Sequence, residues 1–513
     1  MSYDTGYQML QREISSVRGD SPPVIKLHES DNVAVALTLL APGQVIEIEG
    51  RPLEVREAIG RGHKLALETL DAGEIVRKFG WPIGRMRGPA AAGSHVHVHN
   101  LETLLSGVEG YRFEQVHGDR LPRDRQTRFS GYRRGDGRVG TRNEIWVIPT
   151  VGCVGRTAER IASVANARHR TAVDGVFAFT HPHGCSQLGE DLAATRALLA
   201  SLACHPNAGG VLLIGLGCES NQLDRLVQEI PESLRGRVRT LKAQAVEDET
   251  EAGLAAVDAL VARAALATRE QVPLSELVVG LKCGGSDGFS GLTANPLVGR
   301  ICDRLVGAGA SALLTEIPEI FGAERLLMAR ARDHATFDAI VGVVNDFKRY
   351  FLSQGQPVSE NPSPGNLEGG ITTLEEKSLG AVQKAGQAPV SGVLRYGERM
   401  RAKGLTLLEA PGNDAVSSTA LAAAGATMIL FTTGRGTPLG FPVPTVKIAS
   451  NSELAARKPG WIDFDAGEVL TGGFDQATES LLARMVAIAS GEATAAERGG
   501  EREIAIWKRG VTL

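Results

Sequence analysis

The chain has 513 residues, which is too long for one ordinary domain and predicts two or three. A hydrophobic fraction of 43% and a charged fraction of 22% indicate a soluble globular protein, and a net charge of -4 gives no basic field for nucleic acid. No apolar run is long enough to span a membrane and the N-terminus lacks a signal-peptide core, so we expect no membrane partner and a cytoplasmic location.

The first hundred residues predict a small β-rich domain behind a loose arm of about 23 residues. We place this domain at residues 24–101, because short apolar runs there are broken by glycines and polar turns. Strands are predicted at Val24–Leu27, Val33–Leu40, Val45–Ile48, Glu54–Ile59 and Ile75–Trp81. A Gly-Arg-Gly turn at 60–62 leads into His63 and Lys64.

Three histidines alternate with valines at the end of this domain, at His95, His97 and His99, and Asn100 follows them. Side chains on a strand alternate between its two faces, so a strand here would point all three imidazoles the same way. Neutral imidazole is the commonest protein ligand for metals. The spacing therefore predicts a metal or substrate site, with a histidine-rich exposed edge strand as the alternative.

The remainder of the chain predicts a polar linker at 102–130 and a large α/β domain at 131–513, either undivided or divided into two subdomains near 385. Strands are predicted at Ile145–Ile148, Val176–Phe179, Val211–Ile214, Leu277–Val279, Ala312–Leu314 and Met428–Phe431, and helices at Thr157–Ala167 and Leu188–Ala203. This alternation favours mostly parallel sheets with helices on both faces. The fold class is therefore α/β, with a small β-rich domain in front.

Unusual residues follow the strands of the large domain, where open α/β sheets bind their ligands. They include Cys153, Cys185, Cys218 with Glu219, Cys283 with Gly284, Gly285, Ser286 and Asp287, Glu316 with Glu319, and Arg435. Successive glycine amides make an anion site, which suits a carboxylate substrate. The alternatives are buried structural cysteines, a tight βα turn and helix caps. The six cysteines contain no CxxC pair and should be reduced thiols.

Motifs along the chain resemble the altronate/galactarate dehydratase family, which also includes a two-subunit sulfolactate sulfo-lyase. The matching stretches are Lys26-Leu27-His28, Gly62-His63-Lys64, His97-Val98-His99-Asn100, Cys185-Ser186-Gln187, Gly217-Cys218-Glu219, Cys283 through Pro296, Asn361 through Asn366, Glu376-Lys377, Pro411 through Asp414 and Gly434 through Pro438. The histidine stretch and the closing Gly510-Val511-Thr512-Leu513 are similar to the altronate branch.

The resemblance implies an SAF (antifreeze-like) N-terminal domain and a divalent metal, Fe2+ or Mn2+. It implies loss of water from a sugar acid, with D-altronate giving 2-keto-3-deoxy-D-gluconate and galactarate as the alternative substrate. We also expect a homo-oligomer. We do not expect a hydrolase triad, and nucleotide binding is not supported, since no phosphate-loop motif occurs.

For this reaction we predict a site between the domains. The predicted metal ligands are His28, His97 and His99, and His63 or Lys64 is the predicted base, unless Lys64 pairs with the substrate carboxylate. Gly284, Gly285, Ser286, Asp287 and Arg435 are the predicted substrate contacts, with Cys218 and Glu219 as further catalytic contacts. Two alternatives stay open: an iron–sulfur cluster on Cys153, Cys185, Cys218 and Cys283, and a sugar-acid-binding protein without activity.

Overall fold

A computed structural model describes residues 22–116, 118 and 120–513. Nearly all of the predicted N-terminal arm lies outside these described residues. Within them, no helix is both long enough and apolar enough to cross a membrane.

The N-terminal domain consists of short antiparallel strands, as predicted. Its strands are β1 (Val24–Ile25), β2 (Val33–Ala36), β3 (Val45–Ile48), β4 (Arg51–Glu54), β5 (Lys64–Ala66), β6 (Ile75–Lys78), β7 (Trp81–Met86), β8 (His95–Val96) and β9 (Leu101–Glu102). They form a four-stranded sheet in the order β1-β2-β5-β8, a β3-β4 hairpin and a β6-β7-β9 sheet. Buried side chains such as Ala34, Leu40, Ile46 and Leu65 pack in a small core of this domain.

The predicted histidine strand is wrong beyond Val96. Strand β8 covers only His95 and Val96, and residues 97–100 form a turn. The physical reason is Asn100, whose side-chain oxygen accepts a hydrogen bond from His97 N at 2.9 Å and whose amide donates to His95 O at 2.9 Å. These bonds close the turn and stop the strand, so His97 and His99 do not share a strand face with His95.

The linker lies along the surface of the C-terminal part of the chain. Leu104 N donates to Glu375 Oε1 at 2.6 Å, Tyr111 OH donates to Glu324 Oε1 at 2.5 Å and Val116 N donates to Ala329 O at 2.8 Å. These bonds fix the path of an extended segment that has few bonds of its own. The linker thus fastens the N-terminal domain to the rest of the molecule.

A middle domain follows, in which parallel strands alternate with helices. Its strands are β10 (Arg128–Arg133), β11 (Val139–Gly140), β12 (Glu144–Pro149), β13 (Val176–Ala178), β14 (Ala208–Gly215) and β15 (Val238–Lys242), and its helices are α1 (Gly155–Arg168), α2 (Gly189–Ala203), α3 (Leu223–Gln228), α4 (Glu232–Arg235) and α5 (Glu249–Ala264). The order β13-β12-β14-β15 is parallel throughout. Every residue of β12 is buried, as expected for a strand covered by helices on both faces.

The C-terminal domain is built on a seven-stranded parallel sheet in the order β19-β20-β18-β17-β21-β22-β23. Its strands are β16 (Glu270–Pro273), which pairs with β10, and β17 (Val278–Cys283), β18 (Ser311–Leu314), β19 (Val390–Leu394), β20 (Gly404–Leu408), β21 (Met428–Thr433), β22 (Thr445–Ala449) and β23 (Phe464–Asp465). Its helices are α6 (Ala294–Gly307), α7 (Glu324–Met328), α8 (His334–Ser353), α9 (Pro364–Glu368), α10 (Leu374–Ala381), α11 (Asp414–Ala424), α12 (Ser452–Arg457), α13 (Val469–Gly472), α14 (Phe474–Ala489) and α15 (Ala495–Gly499).

The seven-stranded sheet contains strands from both sides of residue 385, so the large domain does not divide there. The chain instead passes from one parallel sheet to the other between β15 and β17. Single 3-10 turns lie at Gly152–Val154, Ala243–Ala245, Leu274–Glu276, Ile317–Ile320, Val382–Ala385 and Ala466–Glu468. The α/β class with mostly parallel sheets is confirmed.

Candidate active site

Three imidazoles converge at the edge of the N-terminal domain, from His63, His95 and His97. One ring nitrogen of each lies within 4.8 Å of the others, and His63 Nδ1 is 3.0 Å from His95 Nε2. In the antiparallel pairing of β5 with β8, Lys64 lies opposite Val96. His63, which precedes Lys64, therefore lies beside His95 and His97, which flank Val96. The strand pairing therefore explains why a histidine 32 positions away joins the predicted stretch.

Burial lowers the pKa of all three histidines and so favours their neutral forms. It lowers the pKa of His95 to about 3 and that of His97 to about 4, and the charges of neighbouring cationic groups lower both further. The pKa of His63 is lowered by burial as well. Neutral imidazoles keep a lone pair free, so this donor set fits a divalent metal ion.

Two of the predicted metal ligands lie outside this group. His28 Nδ1 is 2.7 Å from Ser30 Oγ, and the His28 ring packs against Gly80. His99 is exposed, with its ring centre 5.5 Å from that of His95. Of the predicted ligands, the structure therefore brings only His97 into the group, and His63 and His95 complete it.

Lys64 extends into the junction between domains, next to His97. Its ammonium donates to Gly370 O at 2.9 Å, Thr372 Oγ1 at 2.8 Å and Glu376 Oε2 at 2.8 Å. The same Thr372 hydroxyl lies 2.9 Å from His97 Nδ1. Lys64 is completely buried, so it positions the 370–376 segment against the histidines rather than facing a substrate.

Glycines allow the C-terminal domain to approach the histidines closely. Gly62 has a φ of +82°, and a Cβ there would lie 3.1 Å from Gly369 O. A Cβ on Gly288 would clash with Gly62 O. His63 Nε2 in turn contacts Glu368 O at 3.2 Å. The turn before His63 thus fits between two loops of the C-terminal domain.

The predicted substrate contacts form the opposite side of this junction. Gly285 O accepts hydrogen bonds from Gly434 N and Arg435 N, both at 3.0 Å, and Ser286 O accepts from Asn366 Nδ2 at 2.8 Å. Arg435 pairs with Glu368 at 2.8 Å, and both side chains are about half exposed or more. Glu368 therefore contacts the histidine group through its carbonyl oxygen and Arg435 through its carboxylate.

Asp287 faces its own domain. Its carboxylate accepts hydrogen bonds from Ser290 Oγ at 2.9 Å, Ser450 Oγ at 2.8 Å and Asn451 Nδ2 at 3.0 Å. Burial raises the pKa of this carboxyl above its usual value. These bonds connect the 284–290 loop to the end of β22, so Asp287 shapes the loop that carries Gly284 and Gly285.

Cys218 and Glu219 lie at the edge of the other sheet, in the middle domain. Glu219 is buried and accepts from Thr150 Oγ1 at 2.7 Å and from Gly217 N at 2.6 Å, whereas Cys218 is exposed. Both side chains have their contacts within the middle domain. The predicted catalytic pair is therefore not brought together with His63 and Lys64.

A buried charged cluster beneath the junction was missed by the sequence analysis. Lys377 donates to Glu319 at 2.8 Å, Lys384 to Cys283 Sγ at 2.7 Å, and Lys282 pairs with Glu316. Lys377 also contacts Asn366 Oδ1 at 3.2 Å, which joins the cluster to the junction loop. The sequence predicts the strand-end positions of Glu316, Glu319 and Cys283, but it does not predict that buried lysines pair with them. A lysine inside the apolar strand β17 is the signal that could have found Lys282.

Family models match nearly all of the chain. The altronate/galactarate dehydratase SAF domain matches residues 22–104, the second domain of D-galactarate dehydratase/altronate hydrolase matches 131–265, and the D-galactarate/altronate dehydratase C-terminal domain matches 274–512. The altronate dehydratase of Escherichia coli K12 is 50% identical over 95% of this chain and 99% of its own length. The chain belongs to the altronate/galactarate dehydratase family.

Other relatives agree with this placement. The altronate dehydratase of Bacillus subtilis 168 is 48% identical over 95% of this chain and 99% of its own length. The L-threo-forming galactarate dehydratase of E. coli K12 is 33% identical, over 89% of this chain and 90% of its own length. The predicted family, its SAF domain and the hydro-lyase class of enzyme are confirmed.

Proposed function

We propose that this protein removes water from D-altronate to give 2-keto-3-deoxy-D-gluconate, with a divalent metal at His63, His95 and His97. The observation that carries the proposal is the convergence of three imidazoles where two domains meet, with Glu368 linking them to Arg435. Identity of about half over nearly full length with two altronate dehydratases supports the substrate.

Fe2+ suits these ligands better than Mn2+, because imidazole favours iron whereas carboxylate and carbonyl oxygens favour manganese. Three protein ligands leave positions open, as catalytic sites require. A bound metal would act as a Lewis acid toward the substrate carboxylate and C2 hydroxyl, and would stabilise the charge that builds when the C2 proton leaves.

The chain supplies the remaining parts of the reaction. Arg435 offers a guanidinium that can orient the substrate from the C-terminal domain. A base must take the C2 proton and an acid must protonate the departing C3 hydroxyl, after which the enol becomes the 2-keto acid. We place proton transfer on His99, which is exposed beside His95 and outside the metal ligand group, because Lys64 is buried with three acceptors already.

Charge pairing at the junction favours an acid with one carboxylate. Arg435 pairs with Glu368 at 2.8 Å, and Arg61, next to the glycine turn, lies 3.7 Å from Glu453. Galactarate carries a second carboxylate, and burying a charge without a partner is costly. Either arginine would have to leave its glutamate to receive it. Galactarate is therefore the second candidate substrate.

Initial rates on both acids test the proposal, measured with anaerobic Fe2+-loaded protein at matched pH. We expect kcat/KM for D-altronate to exceed that for galactarate at least about tenfold, which needs about 1.4 kcal/mol of differential transition-state binding. A preference for galactarate would move the protein to the other branch of the family. Absence of turnover across a panel of aldonic and aldaric acids would reject the enzymatic role.

A further inference from the structure

The six cysteines divide into two groups by exposure. Cys204, Cys283 and Cys302 are buried, whereas Cys153, Cys185 and Cys218 are exposed. Free cysteine is among the most buried residue types, so three exposed thiols in one region are unusual. The exposed ones follow β12, β13 and β14, which are neighbouring parallel strands. Their loops therefore emerge at the same edge of the middle sheet.

Hydrogen bonds hold these three loops together. Gly152 N, beside Cys153, donates to His183 O at 2.9 Å, and Asn221 N, near Cys218, donates to Gly184 O at 2.9 Å. Gly184 packs so tightly on the first loop that a Cβ there would clash with Thr150 O. The backbone thus brings the three cysteine loops into direct contact.

One side-chain amide donor contacts a thiol, and a second is buried two residues along the chain from Cys185. Gln244 Nε2 lies 3.7 Å from Cys218 Sγ. Gln187 is only 3% exposed and accepts from Gly184 N at 3.0 Å, but its Nε2 finds no partner among the described residues. A buried donor without an acceptor is destabilising, so an additional acceptor beside Cys185 would satisfy it.

We propose that Cys153, Cys185 and Cys218 hold a [4Fe–4S] cluster, whose fourth iron is left for a water or hydroxy-carboxylate oxygen. Soft thiolates select iron–sulfur clusters or zinc, and amide donors to sulfur are typical of cluster sites. The sulfur atoms of these three described cysteines do not all lie within 4.8 Å of one another. They are therefore spaced more widely than the ligands of a single metal ion.

Structural zinc sites usually take four protein ligands, whereas the exposed cysteines of these three described loops supply three. The nearby His181 uses both ring nitrogens, one toward Pro149 O at 2.9 Å and the other toward His183 N at 3.2 Å. Cys283, which the sequence suggested as a fourth ligand, is buried in the C-terminal domain beside Lys384. The site is distinct from the histidine group, and the proposed dehydration does not depend on it.

Anaerobic reconstitution with Fe2+, sulfide and thiol tests this site in the full-length protein. We expect about five irons per chain, four in the cluster and one at the histidine group, with about four acid-labile sulfides and absorption at about 400 nm. Cys153→Ser, Cys185→Ser and Cys218→Ser should each remove most of the sulfide and the absorption. Cys204→Ser and His97→Ala are the controls and should retain both, because neither residue belongs to the site.

Two results would overturn the proposal. One is that the wild-type protein contains no labile sulfide after reconstitution, whether or not it binds zinc at this edge. The other is an unchanged sulfide content in the triple Cys153→Ser, Cys185→Ser, Cys218→Ser variant. Because the readouts are iron, sulfide and absorption, a failure here is distinguishable from a failure to dehydrate D-altronate.

Discussion

Lys64 of the N-terminal domain donates a hydrogen bond to Glu376 of the C-terminal domain over 2.8 Å, although 312 positions separate them. Lys78 donates to the other carboxylate oxygen at 2.8 Å, and all three side chains are buried. Burial raises the pKa of Glu376, but the two ammonium groups outweigh it and lower that pKa to about 2. An ionised carboxylate thus fixes the histidine-bearing domain in place.

Glu376→Gln should destabilise the protein by roughly 3–5 kcal/mol at pH 7, because it leaves two buried ammonium groups without their carboxylate. Chemical denaturation measures this change. The matched control is Glu479→Gln, which removes the partner of Arg304 from a 64% exposed position and should change stability by less than about 1 kcal/mol. Equal effects of the two substitutions would show that the buried carboxylate adds nothing to docking.

The pH dependence of stability should also reveal Glu376. Its pKa is depressed in the folded state, so its contribution is present above the unfolded value of about 4.3 and is lost as the pH falls toward about 2. The Gln variant cannot lose this contribution. The difference in unfolding free energy between wild type and variant should therefore shrink between about pH 4 and pH 2, and a constant difference would contradict the ionised state.

His95→Ala and His97→Ala should each lose tightly bound divalent metal and nearly all activity, while circular dichroism shows an intact fold. Each variant removes one of three converging ligands. His28→Ala is the matched control in the same domain, since its ring packs against Gly80, and it should keep its metal. If only the His28 variant lost its metal, the result would contradict the group of His63, His95 and His97 and favour His28 as a ligand, as predicted from the sequence.

Gly288→Ala should weaken docking of the N-terminal domain and lower activity at least about tenfold, because the added methyl would clash with Gly62 O beside His63. Gly342→Ala is the control, at a site in α8 where a Cβ meets no atom within 4 Å. It should leave activity unchanged and raise stability by about 0.5–1 kcal/mol. Limited proteolysis of the linker would report the loosened junction, and full activity in the Gly288 variant would argue against a site there.

Residues 1–110 and 125–513, expressed separately, should be inactive alone and active when mixed. The histidines lie on one fragment, whereas Glu368 and Arg435, on the other side of the junction, lie on the second. Mixing should follow a binding curve, because the fragments must associate through Lys64 and Glu376. Full activity in the larger fragment alone would place the site wholly inside it.

The strands of the middle and C-terminal sheets could be predicted because their apolar runs are continuous. The predicted Ile145–Ile148 lies within β12, and the predicted Met428–Phe431 lies within β21. In contrast, the alternating histidines at 95–99 predict a strand, but the structure has a turn at 97–100. The turn forms because the Asn100 side chain hydrogen-bonds to the backbone of His95 and His97.

The make-up of the site could be predicted only in part. His63 and His95 join His97 through the pairing of β5 with β8, and nothing in the local sequence specifies that register. Lys64 could be recognised as unusual beside His63, but its acceptor is on a helix more than 300 residues away. Contacts of this kind are decided by domain packing, which local propensity and spacing do not encode.

The buried lysines of the N-terminal domain also set an order of assembly during synthesis. Domains generally fold as units from the N-terminus as the chain emerges. Lys64 and Lys78 leave the ribosome 312 and 298 residues before Glu376, so their ammonium groups must stay hydrated until helix α10 exists. The histidine-bearing domain is therefore made first but is fixed in place only after residue 376 of 513 has been made, and the surface that carries the three histidines is completed only then.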